Sequence, residues 1–211
     1  MQDSIAFIKL VNDELKFDNR LLCTAIHIFI MFTRKHPFTT FNMHLACTMS
    51  HMIAAKIEYK HPRIEFYSKF AHERAPYPKP MKGKKTAERK PFEEVKNTIL
   101  EEAMTVELDI LTCLQFDFEF AFPFTYVKQY LQLCDQSHEI FDLTLKRCLD
   151  IVYLKTPQRA YYLFYHPALL AAGILATTPN FDLIRYQESV YSRVHEKDVE
   201  MISADFNLFI N

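Results

Sequence analysis

The chain has 211 residues, of which 49% are hydrophobic and 14% aromatic, enough apolar material for one large core or two domains and too much for a disordered polymer. A formal net charge of -1 excludes a global field that would hold nucleic acid or an anionic membrane, and no apolar run approaches the ~20 residues a spanning helix needs. With only two glycines, Gly83 and Gly173, there is no glycine-rich loop in which backbone could cradle a phosphate.

Alternating strand patterns and Asn-Gly or Asp-Gly hairpin turns are lacking, and apolar residues recur at spacings of three and four, so the prediction is an all-α chain. A first helix is expected from Ser4 to about Leu15, with Ile5, Ile8 and Val11 on one stripe and no signal-like apolar stretch around it. Asp18-Asn19 can cap a second helix that stops before His36-Pro37. Thr39-Thr40 can cap a third, rich in small and sulfur-bearing residues and ending before Pro62, and residues 62–74 form a fourth. The stretch APYPKPMKGKKTAERK, residues 75–90, reads as a loop. Pro91 suits the start of a long fifth helix to about Phe116, with Ile99, Ala103, Val106, Ile110 and Leu114 facing inward. Residues 117–123 read as an extended linker and set a boundary between 1–118 and 119–211. Helices are expected after it at about 124–134, 138–154, 166–177, 181–191 and 196–210. The small residues of 166–177 match those of the third helix, so each half is expected to have a central helix that neighbours approach closely.

Catalytic patterns are weak. His44 and His51 lie seven apart with no carboxylate or cysteine completing a metal-ligand spacing, and they read, with His27, as surface or hydrogen-bonded core histidines. No Gly-x-Ser-x-Gly or Cys-His arrangement is present, and Glu93, Glu94, Glu101 and Glu102 fit the start of a helix, where they offset its dipole. Cysteines 23, 47, 113, 134 and 148 form no CxxC and read as reduced core thiols. No cofactor is expected. Lys79, Lys82, Lys84, Lys85, Arg89 and Lys90 crowd one loop, either as a solvated segment or as a site for nuclear import or an acidic partner. Lys56 borders the apolar face of the third helix and Glu107 that of the fifth, so the pair can tie two helices or face a partner.

These features resemble the cyclin family. Ala54-Ala55-Lys56-Ile57-Glu58-Tyr59-Lys60-His61-Pro62 is similar to the cyclin third-helix motif Ala-x-Lys-x-Glu-Glu followed by proline, with Tyr59 in place of the second glutamate. Glu107 through Leu111, Leu114 and Phe116 resemble the fifth-helix motif, and Tyr126 to Tyr130, Tyr165 to Ala176 and Tyr191 to Ile210 look like parts of a second repeat. The resemblance implies two tandem five-helix cyclin-box repeats, 1–118 and 119–211, and a non-enzymatic subunit that binds and activates a cyclin-dependent protein kinase. It implies that Lys56 and Glu107 form the polar centre of the kinase contact, with Ile57, Leu111, Phe116 and Phe118 around it. Ser4-Ile5-Ala6-Phe7-Ile8 stands where cell-cycle cyclins have Met-Arg-Ala-Ile-Leu, so docking of their substrate motifs is not expected. A transcription-type member is favoured over a cell-cycle or meiotic one, with nuclear location, the cytoplasm remaining open. Neither membrane association nor direct nucleic-acid binding is expected. The rival is a kinase-independent scaffold of the same fold that binds transcription or recombination factors.

Overall fold

A computed structural model of the chain describes residues 2–37, 40–58, 60–75, 89–134, 143–144, 146–148, 150, 165–178 and 181–210. Among them all regular structure is helical, as the periodicity predicts. The chain forms two compact units, residues 3–118 and residues 119–211 together with the first two.

In the first unit, α1 (Gln2–Leu15) buries Ile5, Ile8 and Val11 on its predicted stripe. Helix α2 (Asn19–Lys35) begins at Asp18, whose carboxylate accepts from the Leu21 amide at 2.9 Å, the expected cap. Helix α3 (Met43–Ile57) is capped by Asn42, not by Thr39-Thr40. The Thr40 hydroxyl is turned back to donate to the Pro37 carbonyl, whereas Asn42 Oδ1 accepts from the amides of His44 and Leu45; Thr39 lies outside the described residues. Residues 45–55 of α3 are all buried, and α3 packs on α2, on α4 (Ile64–Arg74) and on α5 (Phe92–Cys113). Its Ala46, Cys47, Ser50, Ala54 and Ala55 are small enough to let three helices close in on one axis. Pro91 stands one residue before α5, as its N-cap.

One polar group lies deep in this unit. His51 is fully buried, and its Nε2 donates to Asn12 Oδ1 of α1 at 3.1 Å while its Nδ1 accepts from the Tyr67 hydroxyl of α4 at 3.2 Å. The tautomer follows from the network: Asn12 Nδ2 is committed to the Phe17 carbonyl, so Oδ1 is the acceptor. Burial lowers the His51 pKa to about 3, keeping the ring neutral, and pushes the Tyr67 phenol up.

The second unit contains α6 (Pro123–Leu133), α7 (Pro167–Leu175), α8 (Leu183–Ser189) and α9 (Glu196–Ile210). Residues 143–144 and 146–148 are helical too; the rest of the helix expected at 138–154 lies largely outside the described residues. Helix α7 is the buried one, packed on α6 and α9, as its small residues imply. His166 Nδ1 caps it by accepting from the Ala168 amide, and the His166 ring stacks on Tyr191 with centroids 4.5 Å apart. A Cβ built on Gly173 would lie 2.4 Å from Ile202 Cγ2 of α9, so glycine here is a condition of the helix crossing.

Candidate functional site

Lys56 stands in the last turn of α3, where a cation is favoured by the helix dipole, and α5 runs alongside. Lys56 Nζ donates to Glu107 Oε1 at 2.5 Å, linking residues 51 positions apart. The lysine side chain is 49% exposed and the glutamate 15%, so the pair lies at the surface with its acid tucked in. A pair this accessible contributes only about 0–1 kcal/mol to the fold. A second pair, Arg20 Nε to Glu58 Oε1 at 2.9 Å, joins α2 to the end of α3.

The apolar residues expected around Lys56 and Glu107 divide by exposure. Ile57, Leu111 and Phe118 are half-buried, and Phe116 is 59% exposed. Phe116 is presented by a particular helix ending. The Phe116 amide donates to the Leu111 carbonyl and the Gln115 amide to the Thr112 carbonyl, the two bonds of a Schellman motif. The position that motif normally gives to glycine is Gln115, with φ 55, and Phe116 follows at φ 58. Two adjacent left-handed residues with side chains cost about 1 kcal/mol or more each, and surrounding contacts must hold them. One such contact is Lys35 of α2, whose Nζ donates to the Cys113 carbonyl at 2.9 Å and supplies a cation that the last turn of α5 lacks.

Sequence reasoning overlooked two members of this surface. Met104 and Leu108 are 52% and 58% exposed. With half-buried Leu100 and Leu111 they recur at spacings of four, four and three, making a second apolar stripe on α5 beside the inward one of Ala103, Val106 and Ile110. That periodicity was available in the sequence, and the inward stripe obscured it.

Elsewhere the sequence-derived candidates have structural roles or fall outside view. Lys79, Lys82, Lys84 and Lys85 lie outside the described residues. Arg89 is engaged with backbone: its guanidinium donates to the carbonyls of Glu73 and Ala75 at 2.6 Å each, closing the end of α4. The Lys90 carbonyl accepts from His72 Nε2. His44 packs edge-on to Phe7, and burial, aided by the Arg89 charge, lowers its pKa. No group of three or more metal-ligating side chains occurs among the described residues, and no helix among them is long and apolar enough to cross a membrane. Cys23, Cys47, Cys113 and Cys148 are buried cysteines in no disulfide, as expected of core cysteines, whereas Cys134 is half-buried.

Comparison with known proteins accords with this geometry. The family model for the cyclin N-terminal domain matches residues 2–119, the stretch that contains α1 to α5 and the Lys56–Glu107 pair. No curated protein matches the sequence. The matched family comprises non-catalytic regulatory subunits. An all-helical unit with a central small-residue helix, an ion pair between its third and fifth helices and a match over more than half of the chain lead to one conclusion: the protein belongs to the cyclin family.

Proposed function

We propose that this protein binds and activates a cyclin-dependent protein kinase, with the Lys56–Glu107 pair at the centre of the contact. The observation that carries the reading is the pair itself, formed in the free chain and bordered by exposed apolar side chains on α5. Phe116, Met104 and Leu108, with Ile57, Leu111 and Phe118, supply apolar area, and the two charges fix register and orientation. The subunit performs no chemistry of its own. It holds the kinase's mobile helix in the position where the catalytic Lys–Glu ion pair of the kinase is made, which shifts the kinase population toward its active state. The second unit, with its buried α7, is read as a second cyclin-box repeat, and the role as transcription-type and nuclear.

The test is to mix the purified chain with a panel of cyclin-dependent kinases and to measure co-elution and phosphorylation of a generic peptide. The double variant K56A/E107A is expected to weaken association with the responding kinase by about 2 kcal/mol, roughly thirtyfold. Its fold is expected to persist, because an exposed pair contributes little to stability. Unchanged affinity in a variant with an intact circular dichroism spectrum would remove these residues from the contact, and inactivity of every kinase would remove the reading.

A further inference from the structure

The aromatic ring of Phe116 reaches its exposed place on a turn that its own residues disfavour. Gln115 and Phe116 both take left-handed backbone, at φ 55 and φ 58, a region that residues with a Cβ enter at a steric cost. The ring is 59% exposed, so its own burial does little to offset that cost. The turn has to be held from the backbone side, where the last carbonyls of α5 lie.

The Ile110 carbonyl accepts from the Leu114 amide, Leu111 from Phe116, Thr112 from Gln115 and Leu114 from Asp117. The Cys113 carbonyl accepts from Lys35 Nζ, 2.9 Å away and 78 positions earlier in the chain. In a continuing helix the Asp117 amide would reach back to Cys113. The left-handed pair directs that amide to Leu114 at 3.1 Å, and the lysine stands where it would have been. Turn and lysine bond are therefore coupled: continuing the helix would offer the Cys113 carbonyl an amide, and turning left offers it to Lys35. A bond from an ammonium is stronger than one from an amide, and this one sits at the negative end of the α5 dipole.

The lysine is exposed, but it has a firm base. It is the last residue of α2, whose Phe32 and Thr33 are buried just before it. One turn earlier, the Met31 carbonyl accepts from Cys113 Sγ at 3.8 Å, a weak second link between the same two helix ends. Cys113 is thus tied to α2 through both its thiol and its carbonyl.

We propose that Lys35 is a positioning residue of the kinase contact: by taking the Cys113 carbonyl it selects the left-handed turn at Gln115 and Phe116, so that the Phe116 ring is set in place before a partner arrives. Its effect on affinity rests on the kinase contact proposed above, whereas its effect on the turn belongs to the free chain. An apolar anchor fixed in advance spares the complex the cost of ordering it, and Lys35 needs no contact with the kinase to have this influence.

Two variants test it. Lys35→Met keeps the stem and loses the donor; Lys35→Arg keeps a cationic donor. Position 35 is exposed, so both are expected to fold, which circular dichroism verifies. In the free chain, amide hydrogen exchange followed by NMR should be at least about fivefold faster at Gln115 and Phe116 in K35M than in the parent chain or K35R, with Val106 and Ile110 of α5 changed by less than about twofold. With the responding kinase, K35M should weaken association about tenfold and K35R less than about threefold. In an F116A background K35M should change it by less than about twofold, because no ring is left to present. Unchanged exchange at Gln115 and Phe116 overturns the proposal, as does an affinity that K35M leaves intact. A K35M penalty that persists undiminished in F116A also overturns it, because the lysine would then touch the kinase itself or act through the fold. If no kinase binds the parent chain, the function proposed above falls, and the exchange rates alone decide the role of Lys35.

Discussion

His51 shows how far a residue's role can lie from its sequence signal. Seven positions from His44 it suggests a ligand pair, yet it is a neutral core group with one donor and one acceptor, both satisfied within the fold. Its lowered pKa has a consequence for stability. The folded chain resists protonation until about pH 3, whereas the unfolded chain takes the proton near pH 6.5. The contribution is therefore complete above about pH 7 and is lost as the pH falls below 6.5. From His51 alone the loss at pH 5 is about 2 kcal/mol, and half-buried His27, lowered by burial to about 4, acts in the same direction. Urea unfolding at pH 7.5 and pH 5 should show this drop, and a flat profile would mean that the imidazole is not held neutral. Lys56 and Glu107, by contrast, were legible as a pair: each stands at the border of an apolar stripe, and the residues bordering two such stripes meet where the helices pack. The left-handed turn at Gln115 and Phe116 was not legible, because neither residue type announces a positive φ.

At the scale of elements, apolar spacing located the helices and local chemistry set their ends. Asp18 was recognisable as the α2 cap, while Asn42 was hidden behind two threonines that are equally good caps in principle. Glycine at a helix end is the usual stop signal, and this chain ends α1 and α5 with Lys16 and Gln115 in the glycine position, so those ends had to be inferred from where the apolar pattern stops. The one glycine within a described helix serves packing. At Gly173 an added methyl would meet the branched Cβ of Ile202, which is stiff in a helix and cannot swing aside. Gly173→Ala should lower the unfolding free energy by about 1–3 kcal/mol, and G173A/I202L, which removes the obstructing Cγ2 methyl, should recover part of it. Thermal or urea unfolding measures both; a neutral single substitution would show that α7 and α9 can move apart freely.

For the molecule as a whole, the division of the chain near residue 118 coincides with the end of the family match at 119. A run without helical spacing between Phe116 and Pro123 set the boundary expected from the sequence, and concentrations of alanine pointed to the two buried helices, α3 and α7.

The Lys56–Glu107 bond is complete before any partner arrives. Its two charges cancel at a distance, and the chain as a whole holds only a formal charge of -1, so an approaching protein meets a short-range dipole at the pair and little net field from the whole chain. Encounter at this surface should then be governed by diffusion and shape: a stopped-flow association rate that changes by less than about threefold between 50 and 300 mM salt, with the pair's influence felt in how slowly the complex comes apart. A rate that drops steeply over that range would reveal uncancelled charge at the mouth of the contact.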